Sequence, residues 1–280
     1  MPAFTTPGPV SVNAQVYAGS IRFAAADRAD TVVTALPRDP KRDQDVRAAD
    51  QTEVSYTNGV LTVRTPKAGL FGRTGTVDVT VDLPAGSAVE VSGSWAQVVG
   101  EGPLGEVRGK TTSGDMRFET TGPLQLTVSH GSVSVERVEG AAEITSSTGN
   151  IRVGTVDGPA VLKNSHGSTS VGAVTGELRV SGANGGIDVA RAESSVLGTT
   201  THGHLRVTEV VSGTVELKTS NGSIEVGVRE GVAAWLDVSS TRGQVRNTLT
   251  ASGAPEQSEG SVRVHARTSW GNIDVRRARG

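Results

Sequence analysis

The sequence predicts an all-β protein that folds as a parallel β-helix (β-solenoid), with about 18 residues per coil and an irregular N-terminal β cap. Three observations predict this fold. One glycine returns at a nearly constant interval, apolar and polar residues alternate after it, and the pattern is rich in glycine and β-branched residues. That pattern disfavours helices, and one blade of a β-propeller would need about 40 residues.

The repeat is anchored by the glycine of a recurring "S/T-x-G-x-I/V-x-V" string. Successive intervals between these glycines are 17, 18, 18, 18, 18, 19, 21 and 28 residues. We call them the corner glycines, because we expect each to turn the chain into a strand. They are Gly114, Gly131, Gly149, Gly167, Gly185, Gly203, Gly222, Gly243 and Gly271.

A short strand is predicted directly after each corner glycine. Ile151 and Val153, for example, follow Gly149 by two and four residues, and Arg152 lies between them. This period of two is typical of a strand with one buried face. Further apolar residues and a second glycine complete two or three short strands per repeat. One repeat cannot enclose a core alone, so we expect successive coils to stack at about 4.8 Å.

The predicted organisation has two parts. Residues 1–90 form an N-terminal β cap continuous with the solenoid, and residues 91–280 form the coils. Within the cap, "GSIRF" and "GTVDVTVDLP" indicate strands, whereas "DPKRDQDVRAADQTEV" indicates a short helix or a solvated loop. A polar insertion near 251–260 accounts for the interval of 28 residues between the last two corner glycines.

Composition excludes several classes of function. The formal net charge is −2, and three Trp, two Tyr and four Phe are too few for a base-stacking platform, so we expect no nucleic-acid partner. There is no cysteine, and no nucleotide-binding or zinc-protease motif points to a cofactor. No secretory signal and no run of 18 apolar residues is present, so we expect a cytoplasmic protein without membrane insertion.

Three histidines directly precede corner glycines and raise the question of an active site. His130, His166 and His202 share this position with Thr148, Asn184 and other polar residues in alternate coils. Histidines two coils apart are separated by roughly 9–10 Å, which is too far for ligands of one zinc ion. Residues that tolerate turns explain the position better. His204 lies across Gly203 from His202, and such a pair makes at most a weak site.

Carboxylates on neighbouring coils are the second candidate for a site. Two pairs align on neighbouring predicted coils, Glu119 with Glu136 and Glu139 with Asp157. Stacked at about 5 Å, such carboxylates would raise one another's pKa or hold a hard cation. Arg137 could instead neutralise the first pair, and acidic residues before glycine are common in turns. We therefore predict no catalytic, cofactor or metal site, with this carboxylate cluster as the alternative.

Hydroxyl residues are expected to form a ladder that satisfies backbone groups at the corners. The candidates stand two residues before the corner glycines: Thr112, Ser129, Ser147, Ser165, Thr201, Ser220, Thr241 and Ser269.

Three parts of the sequence resemble a known family. They are the repeat unit "TSSTGNIRVGTVDG", the opening "MPAFTTPGPVSV", and the ending "VREGVAAWLDVSSTRGQVRN" with "VRVHARTSWGNIDVRR". Together they resemble the bacterial β-strand-repeat family of "putative adhesins" (domain of unknown function 4097). The resemblance covers nearly the whole chain and implies a β-solenoid. It supplies no enzymatic motif.

We therefore predict a non-enzymatic, adhesin-like scaffold or interaction protein that binds another protein through its strand faces. A monomer is favoured over a filament, because Arg276, Arg277 and Arg279 place charge at the last strand. The alternative is a carbohydrate-binding or carbohydrate-active β-helix that uses Glu119, Glu136, Glu139 and Asp157.

Overall fold

The computed structural model describes residues 2–67, 75–249 and 261–278. Within them the chain is built from 25 strands and one short helix, and the strands of the coils pair in parallel. The predicted β-solenoid is thereby confirmed. The predicted polar insertion near 251–260 and Arg279 lie outside the described residues. The chain divides into two units, Met1–Glu139 and Gly140–Gly280.

Regular coils of the first unit are formed by strands that follow residue 88. They are β7 (Ala88–Leu104), β8 (Val107–Ser113), β9 (Met116–Thr121), β10 (Leu124–His130) and β11 (Val133–Val138). In one sheet β8 lies between β7 and β10, and in the other β9 lies between β7 and β11. Each coil therefore contributes two strands, one on each side of a corner.

The long strand β2 (Ser11–Ala26) is inserted between strands that come later in the sequence. On one side it pairs in parallel with β7, and on the other with β5 (Val60–Arg64) and β6 (Val77–Pro84). Its alternating side chains are buried, with Ile21 and Phe23 completely inaccessible to solvent. A segment near the start of the chain thus supplies a full coil.

Antiparallel strands and a helix make the cap irregular. Strand β3 (Asp30–Pro37) pairs with β6 and with β1 (Ala3–Thr5), and β4 (Glu53–Thr57) pairs with β5. The charged segment forms helix α1 (Asp43–Asp50). Its buried Asp45 accepts hydrogen bonds from the backbone amides of Thr76, at 2.8 Å, and Asp39, at 3.3 Å. These bonds attach the helix to the start of β6.

In the second unit, strands on the two sides of the corner form two parallel sheets. The first sheet contains β12 (Ala142–Thr148), β14 (Ala160–His166), β16 (Leu178–Asn184), β18 (Val196–His202) and β20 (Gly213–Asn221). The second contains β13 (Ile151–Val156), β15 (Thr169–Val174), β17 (Ile187–Ala192), β19 (Leu205–Val210) and β21 (Ile224–Val228). Both sheets keep their register from coil to coil, apart from a shift between Val207 and Val210 where β19 pairs with β21.

The last coils of the second unit are not stacked in the order of the sequence. Strands β24 (Ser261–Trp270) and β25 (Ile273–Arg277) lie between β20–β21 and the outer strands β22 (Ala233–Arg242) and β23 (Val245–Asn247). Placing the corner glycines in simple sequence order is therefore wrong at this end, because Gly271 lies between Gly222 and Gly243.

The core consists of the apolar residues that alternate along each strand. Ile151 and Val153 after one corner glycine, and Leu205 and Val207 after another, are each about 1% exposed. In parallel register each stacks on the equivalent residue of the next coil. Burying one such side chain contributes about 1.5–3 kcal/mol, so the repeated pair is the main local source of stability.

Corner glycines are required because neighbouring coils approach closely there. At Gly203 the backbone has φ +145°, and a Cβ atom would lie 2.1 Å from the carbonyl oxygen of Gly185. Gly185 has the same relation to the carbonyl of Gly167, also at 2.1 Å. Only glycine combines this left-handed backbone with so short an approach.

The hydroxyl ladder lies inside the coil, one position earlier than predicted. Thr219, three residues before Gly222, donates from Oγ1 to the carbonyl of Gly203 at 3.2 Å, and Thr268 donates to that of Gly222 at 3.0 Å. Both threonines are buried. The predicted residues two before each glycine face outward instead, as Ser220 does. Strand alternation explains the error, because adjacent positions point to opposite faces.

Candidate functional site

One row of exposed side chains runs along the corner of the second unit, directly before the corner glycines. We call it the corner row, and strand register gives its order as Thr148, His166, Asn184, His202, Asn221, Trp270 and Arg242. From His166 onward, each carbonyl of the row accepts a hydrogen bond from the corner glycine amide of the preceding coil, for example 2.8 Å from Gly185 to His202. Neighbouring members are therefore held one coil rise apart, about 4.8 Å.

The histidines of the corner row do not converge on one point. His166 and His202 are separated by Asn184, hence by two coil rises or about 9.6 Å. In the first unit, His130 occupies the equivalent position beside Ser113, which in turn neighbours Trp95.

His204 pairs with an aspartate of the preceding coil rather than with His202. Its Nε2 atom lies 2.9 Å from Oδ2 of Asp188, and Arg206 approaches the other oxygen of that carboxylate at 3.6 Å. The imidazole covers Gly186, where a Cβ would lie 2.2 Å from the ring. The signal for this pair is an Asp three residues after one corner glycine, Gly185, and a His directly after the next, Gly203.

The predicted pair Glu119 and Glu136 lies in the first unit, and each carboxylate has its own partner. Glu119 accepts a hydrogen bond from the amide of Gly102 at 2.8 Å, and Glu136 lies 3.4 Å from Arg117. Arg137, which the sequence suggested as the neutralising charge, lies 3.3 Å from Glu139. The arrangement resembles a surface ion-pair network rather than an open cation site.

The second predicted pair divides between the units, because Glu139 ends the first and Asp157 belongs to the second. Glu139 is exposed and Asp157 is half-buried. Across the described ranges, no group of three or more His, Asp or Glu side chains is placed to hold a metal ion.

An ionic ladder crosses three coils at the end of the second unit. Arg206 lies 3.0 Å from Glu225, and Arg276 also hydrogen-bonds this carboxylate. Partial burial opposes ionisation of Glu225. The hydrogen bond and charge of Arg276, with the charge of Arg206, outweigh it and hold the pKa of Glu225 below its ordinary value. The ladder joins β19, β21 and β25.

All three tryptophans of the chain lie on the surface. Trp95 is 70% exposed, Trp235 is 67% exposed and Trp270 is 53% exposed. The guanidinium carbon of Arg242 lies 4.3 Å from the centre of the Trp270 ring. Tryptophan is highly buried on average in folded proteins, so three exposed rings are unusual. Sequence reasoning missed them, although Trp95 and Trp270 directly precede corner positions.

Two shallow cavities lie in the first unit beside the cap. One of about 430 Å³ is lined by Leu36, Ala49 and Val54 among others, and one of about 670 Å³ is lined by Tyr17, Arg64 and other polar residues. Neither brings the predicted carboxylates or histidines together. No helix in the described part of the chain is both long and apolar enough to cross a membrane.

These features define a repeat protein of the parallel β-solenoid class, with a glycine corner, an internal hydroxyl ladder and side chains displayed in straight rows. The family described as Toastrack (domain of unknown function 4097) matches residues 13–276, and the chain belongs to this family. The resemblance predicted from the sequence is thereby confirmed.

The solved structures that match the chain carry little sequence identity. A "putative adhesin" from Parabacteroides merdae is 14% identical, with a TM-score of 0.46 over 80% of this chain and 93% of that one. One from Parabacteroides distasonis is 19% identical, with a TM-score of 0.49 over 80% and 95%. A "putative lipid binding protein" from the latter species is 15% identical, with a TM-score of 0.33 over 98% and 95%. No curated protein is significantly similar in sequence.

Proposed function

We propose that the protein is a non-enzymatic, adhesin-like scaffold that binds another protein through its exposed strand faces. The observation that carries this proposal is the exposure of all three tryptophans. Tryptophan and arginine are the residues most enriched among the energetic centres of protein interfaces. A surface that leaves Trp235 67% exposed is suited to contribute such a centre.

The rigidity of the solenoid supports the same function. Neighbouring strands are joined residue by residue in parallel register, so exposed side chains are held at fixed positions before a partner arrives. Such preorganisation lowers the entropy cost of binding. Trp235 is the third residue of strand β22, the outermost strand of its sheet among the described residues, and is 67% exposed.

The experiment compares the full chain with Trp235→Ser, Trp95→Ser and the control Leu36→Ser, which removes an exposed apolar side chain elsewhere. Proteins retained from a bacterial lysate by the wild type are identified, purified and measured individually for binding. We expect one tryptophan variant to weaken binding about 30-fold, the loss that corresponds to about 2 kcal/mol. The proposal fails if no purified partner binds, or if all three variants bind it as the wild type does.

A further inference from the structure

The corner row of the second unit presents polar groups that the protein itself does not use. The side chains of His166, Asn184, His202 and Asn221 are exposed. Within the described residues none of these imidazoles or carboxamides takes part in an intramolecular hydrogen bond or ion pair. Asparagine and histidine side chains each offer hydrogen-bond donors and acceptors, so the row can both donate hydrogen bonds to hydroxyl groups and accept them.

A second row of hydroxyl groups runs beside the corner row, one residue earlier on each strand. Ser165, Thr201 and Ser220 are its exposed members next to His166, His202 and Asn221. The two rows together form a narrow, straight strip of donors and acceptors along the direction in which coils stack. Beyond Asn221 lies the half-exposed ring of Trp270, which has the guanidinium of Arg242 over one face and can stack against an apolar face with the other.

The spacing of the strip selects the ligand. Imidazoles recur at every second coil, His166 and then His202, and carboxamides recur in the same way, Asn184 and then Asn221. An extended β-1,4-linked glycan reverses its face with each sugar, so equivalent hydroxyls recur at about 10 Å, which matches two coil rises of about 4.8 Å each. A coiled α-1,4-linked glycan has no such straight repeat.

We propose that the corner row of the second unit binds an extended, neutral, β-1,4-linked polysaccharide that lies along the stacking direction of the coils. Alternate sugars present the same hydroxyls to alternate rungs, and a sugar beyond the Asn221 rung stacks on the face of Trp270 that Arg242 does not cover. The site uses none of the four predicted carboxylates, and it is separate from Trp235, at the opposite end of strand β22 from the corner.

The site predicts that affinity depends on glycan length. A disaccharide spans one repeat of the row, whereas a hexasaccharide spans the rungs from His166 to Asn221 and beyond. Because successive contacts are formed by one tethered ligand, we expect the hexasaccharide to bind at least about tenfold more tightly than the disaccharide.

The test measures binding of the full chain to cellohexaose, xylohexaose and chitohexaose by calorimetry, with the matching disaccharides and with maltohexaose as the coiled control. We expect one β-1,4 series to bind in a length-dependent manner and maltohexaose to bind at least about tenfold more weakly. The double variant N184A/N221A should lose about tenfold in affinity, whereas N13A, an exposed asparagine of the first unit, should match the wild type. Circular dichroism verifies that each variant is folded.

Four results would each overturn the proposal. The first is no binding of any β-1,4 hexasaccharide at about 10 mM, a concentration that would reveal even millimolar affinity. The second is binding that N184A/N221A leaves unchanged. The third is equal affinity for the disaccharide and the hexasaccharide. Selective, salt-sensitive binding of an acidic glycan in place of the neutral series would also overturn it, because the strip would then act through charge.

Discussion

Replacing a single corner glycine by alanine should destabilise the second unit far more than its size suggests. In Gly203→Ala the new Cβ would lie 2.1 Å from the carbonyl oxygen of Gly185, about 1 Å closer than a carbon atom tolerates. The φ angle of +145° is also one that alanine rarely adopts. The variant therefore combines a steric conflict between coils with strain within the residue.

The magnitude follows from the bonds on either side of the corner. Backbone strain of this kind costs about 1–3 kcal/mol. Separating the coils by about 1 Å would break the hydrogen bond from Gly185 to His202, now 2.8 Å, and that from Ile187 to His204, now 2.9 Å. Each contributes about 1 kcal/mol, so the free energy of unfolding should fall by about 3–5 kcal/mol in total.

Gly231→Ala is the matched control, because Gly231 also has a positive φ, of +79°, but has no atom within 4 Å of a Cβ. It should lose only about 1–2 kcal/mol from the left-handed backbone. Urea unfolding followed by circular dichroism measures both variants. With a slope of about 2–3 kcal/mol/M, Gly203→Ala should unfold about 1–2 M earlier than the wild type. Equal stability of the two variants would refute the reasoning, because the close approach would then carry no cost.

Three further predictions concern the hydroxyl ladder, the cap and the ionic ladder. Thr219→Val should lower the free energy of unfolding by about 1–2 kcal/mol, because the carbonyl of Gly203 loses its hydrogen-bond donor. The control Ser220→Ala, on the outer face, should change it by less than about 0.5 kcal/mol. Urea unfolding measures both variants, and equal losses would contradict the inner hydroxyl ladder. Asp45→Ala should lower the free energy of unfolding by about 2 kcal/mol and speed hydrogen exchange at the Thr76 amide. The control Asp43→Ala, on the exposed side of α1, should do neither. Unchanged exchange in Asp45→Ala would show that the carboxylate does not hold the helix. Because the pKa of Glu225 is lowered in the folded state, its stabilising contribution is present above its ordinary carboxyl pKa and is lost as the pH falls through the folded value. The stability difference between wild type and Glu225→Gln, measured by thermal unfolding, should therefore shrink below about pH 4.5. Glu216→Gln, at an exposed glutamate, is the control. A difference that grows on acidification would contradict this assignment.

The repeat of the fold was predictable because its causes are local. The corner glycine, the two apolar residues after it and the intervening polar residue lie within five consecutive positions, as in Gly149 to Val153. Each position reports directly on backbone conformation or on the face of a strand. The helix over part of the charged segment near residue 45 was one of two alternatives, because its amphipathic pattern is short.

The side-chain partners were not predictable, because they depend on distances between coils. His204 was compared with His202, its neighbour across the corner, but it contacts Asp188 in the preceding coil. Arg137 was considered as a neutralising charge for the pair Glu119 and Glu136, and it lies 3.3 Å from Glu139. In each case another charged group is closer in sequence than the observed partner, and only the folded chain selects between them.

The sequence by itself determined the class of fold, the length of a coil, the corner glycines and the residues that face the core, because each follows from the alternation of a strand or the conformation of one residue. Only the tertiary structure decided the order of the coils. Strand β2 is inserted beside β7, and strands β24 and β25 are inserted beneath β22 and β23. All parallel strands of this repeat present nearly the same backbone edge and the same alternation. Which edges meet is therefore decided by how the whole chain closes its core and its ends, not by any local pattern.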